Sequence, residues 1–273
     1  MNIKPNTKLL SQNKPIGIFD SGVGGLSVLQ QTQQLLAQES FIYVADSAYT
    51  PWGNKSDDFI EHRSRIITEH LLEQGAKIIV IACNTATASI IEKFRLQYGI
   101  PFVGVEPGIK PAISLTKNNN IGIMAPQGTL SSQRYKELNQ RFSTQVNLYP
   151  MACPGLADQV ERCQINNSKT MSLLENFIHP LLQHQVDTIV LGCTHYSFLI
   201  PHIKEIVGDN ISIVDTSHAI AEQVKRLLKQ HNLKNGATDS TSRYFTTGDI
   251  EETQQVMSQL LQQKSIDLNL LAC

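Results

Sequence analysis

Short apolar runs alternate with longer amphipathic stretches along the chain. Nine runs rich in β-branched residues read as strands: Ile16–Phe19, Phe41–Val44, Ile78–Ala82, Phe102–Val105, Ile121–Met124, Val146–Tyr149, Thr188–Gly192, Ile211–Val214 and Arg243–Thr247. Between them, the stretch Asp57–Gln74 puts Phe59, Ile66, Ile67, Leu71 and Leu72 on one helical face, with Asp at its start and Gly75 at its stop. Ser217–Gln230 does the same with Ile220, Val224, Leu227 and Leu228. Pro180 falls inside Thr170–Gln183 and predicts a kink or two pieces there. Buried strands alternating with helices predict an α/β protein with parallel sheets.

Aligning the strands exposes an internal repeat. "IGIFDSGVGG" begins at Ile16 and "IGIMAPQGTL" at Ile121; "IIVIACNTA" ends its strand at Cys83 and "TIVLGCTHY" at Cys193. Gly17 precedes Cys83 by 66 residues, and Gly122 precedes Cys193 by 71. An acidic residue closing the next strand follows each cysteine, Glu106 after 23 residues and Asp215 after 22. Matched order at matched spacing predicts two α/β halves of about 100 residues each. The last segment, Ser217–Cys273, has no copy and is expected to pack back on the first half. Ligands of parallel α/β sheets sit at strand C-termini. Each half places a cysteine there, so halves that face each other bring two thiols together across a cleft.

Composition narrows the field. The chain has 273 residues, 41% hydrophobic and 17% charged, as an ordinary globular protein has. Lys+Arg is 23 and Asp+Glu is 24, a balance that argues against a nucleic-acid-binding module. The start, Met1 to Lys14, is polar and no apolar run approaches 18 residues, so neither a signal peptide nor a membrane span is expected. Five widely spaced cysteines without a CxxC pair suit a reducing cytoplasm better than a disulfide scaffold or a zinc ribbon. Each cysteine is then either packing or chemistry.

Cys83 is followed by Asn84, Thr85 and a helical run, and Cys193 by Thr194 and His195. A helix N-terminus draws a thiol's pKa from about 8.5 toward neutrality. Opposed thiols suit inversion of a stereocentre: one takes a proton from one face of a planar carbanion while the other gives one to the opposite face. No metal or organic cofactor enters that scheme. Asp20, Ser21 and Gly22–Gly25 follow the first strand, and the glycines let backbone N–H groups approach an anion. Neither a P-loop nor GxGxxG is present, since Ser stands at 27. Asp20 is a candidate partner for a cationic amino group or for the Cys83 proton. His195 could share the proton of Cys193. A metal on Cys193 and His195 lacks a third ligand cluster. Tyr49–Gly53, with the sole tryptophan, Trp52, could wall the cleft or merely pack. Cys153, Cys163 and Cys273 read as structural or surface residues.

The segments "GIFDSGVGGLSVL", "YVADSAYTPWGNKS", "VIACNTATA", "GVEPGIKPA" and "LGCTHY" resemble the motif set of the glutamate racemases, in that family's order, from Pro15 onward. The resemblance implies conversion of L-glutamate to D-glutamate for peptidoglycan in bacterial cytoplasm, without a cofactor or metal. It implies Cys83 and Cys193 as the acid/base pair, Cys83 acting on D-glutamate and Cys193 on L-glutamate, with Asp20 and His195 assisting. Glu161, nine positions along from Cys153 counted inclusively, matches the third assisting carboxylate. Substrate contacts would come from Asp20–Ser21, Trp52–Gly53, Asn84–Thr85 and Thr194–His195. Three places depart from the family pattern: Trp52 stands for the usual tyrosine, Ser197 for a proline, and "GLADQVE" for the usual "PLVE" context.

The same resemblance implies two similar parallel-sheet domains related by a pseudo-twofold, with the active site between them. The first would comprise 1–107 plus 216–273, and the second 108–215. It also implies a homodimer and, in some members, activation by a cell-wall precursor. Three rivals remain at this level: an aspartate racemase of the same architecture, a two-lobed amino-acid-binding module that needs no thiols, and a hydrolase using Cys193 and His195.

Overall fold

The computed structural model describes residues 12–236 and 240–272. Among these described residues ten strands form two sheets, every pairing parallel. The first sheet contains β1 (Ile16–Asp20), β2 (Phe41–Ala45), β3 (Ile78–Ile81) and β4 (Phe102–Gly104). The second contains β5 (Asn120–Ala125), β6 (Asn147–Ala152), β7 (Thr188–Leu191) and β8 (Ser212–Val214). β9 (Ser242–Thr246) and β10 (Leu268–Leu270) extend the first sheet beyond β2. The spatial orders are β10-β9-β2-β1-β3-β4 and β6-β5-β7-β8. The second order repeats that of the first four strands in the first sheet: second, first, third, fourth.

The repeat therefore reaches the register. Gly17 pairs with Ile42 and Ile79, and Gly122 with Tyr149 and Ile189. Nine of the ten strands are those read from the sequence, with ends shifted by a few residues. β10 escaped notice because it is a three-residue edge strand, Leu-Asn-Leu, too short to show alternation. β6 runs through Pro150, which an edge strand tolerates because no ladder donor is lost on its free side. The helix Ser168–Gln183 is continuous across Pro180 and not divided in two.

The unmatched C-terminal segment does pack on the first half. Its helix Ser217–Gln230 lies against the helix Leu26–Leu35, and β9 pairs with β2. Cys273 lies outside the described residues. The helix Asp57–Glu73 starts where Ser56 Oγ accepts the Phe59 N–H at 3.3 Å, and Gly75 follows its end at φ +86°. Its buried face differs from the expected one: Ile60, Ser64, Ile67 and Leu71 point inward, while Phe59, Ile66 and Leu72 are only partly covered. Arg63 is buried on that face as well, which hydrophobic periodicity does not anticipate. Among the described residues, no helix is long and apolar enough to cross a membrane.

Candidate active site

Cys83 and Cys193 occupy the same place in the two sheets, each two residues beyond the third strand of its half. Both line one cavity of about 70 Å³. Cys83 caps the helix Asn84–Gln97, where the Ala86 N–H points at its Sγ from 3.5 Å and its thiol lies 3.8 Å from Ser21 Oγ. Cys193 precedes a short 3-10 turn, Thr194–Leu199, and its Sγ is 3.6 Å from Nδ1 of His195.

The thiol environment corrects one expectation. The helix N-terminus does pull the Cys83 pKa down, but burial outweighs it. Burial first, and then the nearby Asp20 charge, push this thiol well above its ordinary value. Burial pulls the His195 imidazole the other way, yet Cys193 and Glu161 prevail and hold its pKa well above the usual range. The two thiols thus sit in different electrostatic settings despite equivalent positions: Cys83 near a carboxylate, Cys193 near an imidazole.

The glycine turn also plays a different part from the one expected. Its backbone N–H groups meet anions, but those anions are the protein's own. Asp20 Oδ2 accepts the Gly25 N–H at 2.6 Å, and Glu161 Oε1 accepts the Val23 N–H at 2.9 Å. A Cβ on Gly22 would lie 1.9 Å from Glu161 Oε1, so glycine is what admits that carboxylate. Asp20 is fully buried behind the cavity wall, held also by the Ser21 N–H at 2.8 Å and the Thr194 hydroxyl at 3.2 Å. Burial raises its carboxyl above the usual carboxylate range.

Of the other predicted positions, Ser21, Trp52, Gly53, Asn84, Thr85 and Thr194 line the cavity, and so does His195. Glu161 lines a neighbouring cavity and reaches the site through His195, whose Nε2 is 2.5 Å from its Oε1. The structure adds further residues to the lining, Pro126, Cys153 and Tyr196 among them. Buried Thr129, outside that lining, shares a hydrogen bond of 3.1 Å with Thr85 and ties the halves together. Cys153 is a buried wall residue rather than a remote one. It follows β6 as Asp46 follows β2: both backbone N–H groups, at 3.1 Å, bond the last carbonyl of the central strand, Ala125 and Asp20. Extending the repeat to its second strand would have found it. Burial, reinforced by Cys193, pushes the Cys153 thiol upward.

The model of the Asp/Glu/Hydantoin racemase family matches residues 19–224. The chain belongs to that family. This family member is 46% identical over 248 residues to the glutamate racemase of Ectopseudomonas mendocina, covering 90% of this chain and 94% of that one. It is 44% identical over 239 residues to the glutamate racemase of Herpetosiphon aurantiacus, covering 87% and 94%. The crystal structure of a glutamate racemase isoform from Bacillus anthracis superposes with a TM-score of 0.88 at 29% identity, over 96% of this chain and 98% of that one. That of Escherichia coli glutamate racemase, in complex with L-glutamate and the activator UDP-MurNAc-Ala, gives 0.84 at 30% identity, over 95% and 98%.

Proposed function

We propose that this racemase interconverts L- and D-glutamate by α-proton transfer between Cys83 and Cys193. One observation carries the reading: equivalent cysteines of two repeated sheets line one cavity. The names of the relatives supply the substrate, glutamate. In the forward step a thiolate on one face takes the α-proton, and the C–H electron pair remains on the α-carbon. The thiol on the other face then protonates that carbon, so configuration inverts and the charge moves from one sulfur to the other. At neutral pH burial keeps Cys83 as the thiol, so it enters as the acid, the assignment that turns L-glutamate into the D-enantiomer. His195 lies beside Cys193, within reach to exchange a proton with it, and Glu161 orients His195.

Ser21, Trp52, Gly53, Asn84, Thr85, Thr194 and His195 surround the substrate in this reading. Asn84 suits an amino-acid ligand: Nδ2 donates to Val105 O at 3.4 Å, while Oδ1 is buried without a protein partner and can accept from an ammonium group. Residues 1–107 with 216–273, and residues 108–215, are the two domains that close on it. D-Glutamate made this way would feed peptidoglycan synthesis in the bacterial cytoplasm. A homodimer and a cell-wall-precursor activator belong to the same proposal, the second because the E. coli relative was captured with one.

The test is deuterium uptake at the α-carbon in D2O with glutamate and, separately, aspartate. Unaltered protein should exchange and racemise glutamate. Cys83→Ser and Cys193→Ser should each abolish racemisation. A protein that leaves the glutamate α-hydrogen in place, or a Cys193→Ser variant that racemises at full rate, overturns the reading.

A further inference from the structure

We propose that Arg63 is a positioning residue that sets the substrate wall formed by Pro51, Trp52 and Gly53; in naming a substrate wall, this rests on the function proposed above. Arg63 projects from the helix Asp57–Glu73 and grips Asp46 with both arms of its guanidinium, Nε to Oδ2 at 3.0 Å and a terminal nitrogen to Oδ1 at 2.7 Å. Arg63 is 4% exposed and Asp46 is not exposed at all. The same guanidinium lies 4.0 Å from the ring centre of Tyr49. Asp46 follows β2 and opens the loop, and the Tyr49 N–H returns to its carbonyl at 3.0 Å. The Thr247 hydroxyl donates to Asp46 Oδ1 at 2.9 Å and accepts the Ala48 N–H at 3.2 Å.

Three separate parts of the chain thus converge on one turn: the helix through Arg63, the strand end through Asp46, and the C-terminal segment through Thr247. The turn runs directly into the cavity wall at Pro51–Gly53. The second half has Cys153 where the first has Asp46, and a thiol offers no bidentate acceptor for a guanidinium. An ion pair buried this deeply is costly to assemble, and its fork geometry fixes orientation as well as energy. Lysine, a point charge on a flexible stem, does not reproduce that fork. The C-terminal segment, which has no counterpart in the repeat, gains through Thr247 a hold on the turn that leads into the wall.

Trp52 makes the test direct. It is the sole tryptophan of the chain and is buried in this wall, so its emission reports the loop without any substrate. Arg63→Lys should red-shift that emission and open Trp52 to acrylamide quenching. It should raise KM for D-glutamate about tenfold while kcat stays within about threefold, because wall geometry changes and the thiols do not. Thr247→Val should act in the same direction, more weakly. Tyr49→Phe, which keeps the ring under the guanidinium, should change neither readout. Should Arg63→Lys fail to fold, Thr247→Val and Tyr49→Leu carry the same measurements. Unchanged Trp52 emission together with unchanged KM in these variants overturns the proposal, and so does a loss confined to kcat. A protein that shows the emission shift but never turns over glutamate would leave the strut standing and remove the glutamate reading instead.

Discussion

A Cβ placed on Gly24 would lie 2.3 Å from Nδ1 of His195, so the glycine turn of the first half and the imidazole of the second claim the same space. Gly24→Ala should therefore displace the ring from Cys193. Racemisation should fall by about 10²-fold, the effect of a misplacement near 1 Å, while far-ultraviolet circular dichroism stays that of the folded protein. Kinetics of the purified variant beside its unfolding curve check this. Retained activity would mean that the ring moves without consequence.

Glu161 contributes charge as well as geometry to His195. Burial draws the imidazole pKa down, and Cys193 and Glu161 raise it beyond recovery of the ordinary value. Glu161→Gln removes one of the two raising charges, so the His195 titration should move to lower pH. Proton NMR of the imidazole C–H, recorded with a pH–rate profile, measures the shift. An unmoved or upward-moving titration would show that Glu161 only holds the ring in place.

Alkaline pH should weaken the fold through Cys83. Burial, followed by Asp20, holds its folded pKa well above the ordinary value, so the folded protein keeps a proton that the unfolded chain releases near about pH 8.5. Its contribution is complete below that pH and is lost as pH rises toward the folded value, at about 1.4 kcal/mol per pH unit. Cys153 shares this slope, and buried Tyr43 and Tyr196 extend it above about pH 10. Cys83→Ser should flatten the decline by about one proton. Urea titrations between about pH 7.5 and 10 test it, with parallel slopes for the two proteins as the refuting result.

Lys77 and Glu39 form a second buried pair, 2.5 Å apart and 0% and 2% exposed. Glu39 Oε1 also accepts the Asn235 N–H at 2.7 Å, so one carboxylate secures both the residue before β3 and the C-terminal segment. Glu39→Gln leaves the ammonium buried without its counter-ion and should cost about 3–5 kcal/mol. Replacing both members by methionine should restore most of that loss, since a well-packed apolar pair avoids the desolvation penalty. Chemical unfolding of the single and double variants decides between them.

Much of the candidate site was legible along the chain because duplication writes it twice. A cysteine at the end of the third strand in each half, followed by Asn84-Thr85 or Thr194-His195, is a linear signal. Arg63 was not legible, because a charged residue on a helix reads as solvent-facing until its partner is known, and that partner lies 17 positions away across a loop. Cys153 was passed over for a related reason: β6 is an edge strand containing Pro150, and its end does not look like the end of β2. The anion-binding reading of the glycine turn identified the right donors but not the acceptors. Glu161 is 138 residues from Val23 in sequence, and no periodicity relates the two.

The amino-acid sequence alone determined the two parallel sheets, the repeat that links them and the pairing of Cys83 with Cys193, because strand periodicity and strand-end position are local properties that duplication preserves. Tertiary structure alone decided how deeply each thiol is buried, whether burial or the neighbouring charge prevails there, and which donors the protein consumes internally. Those are set by packing within and between the halves, where distances of a few ångströms and the exclusion of water govern proton affinity. Burial then acts on two equivalent cysteines that differ within their own halves, one beside Asp20 at the end of β1 and the other two residues before His195.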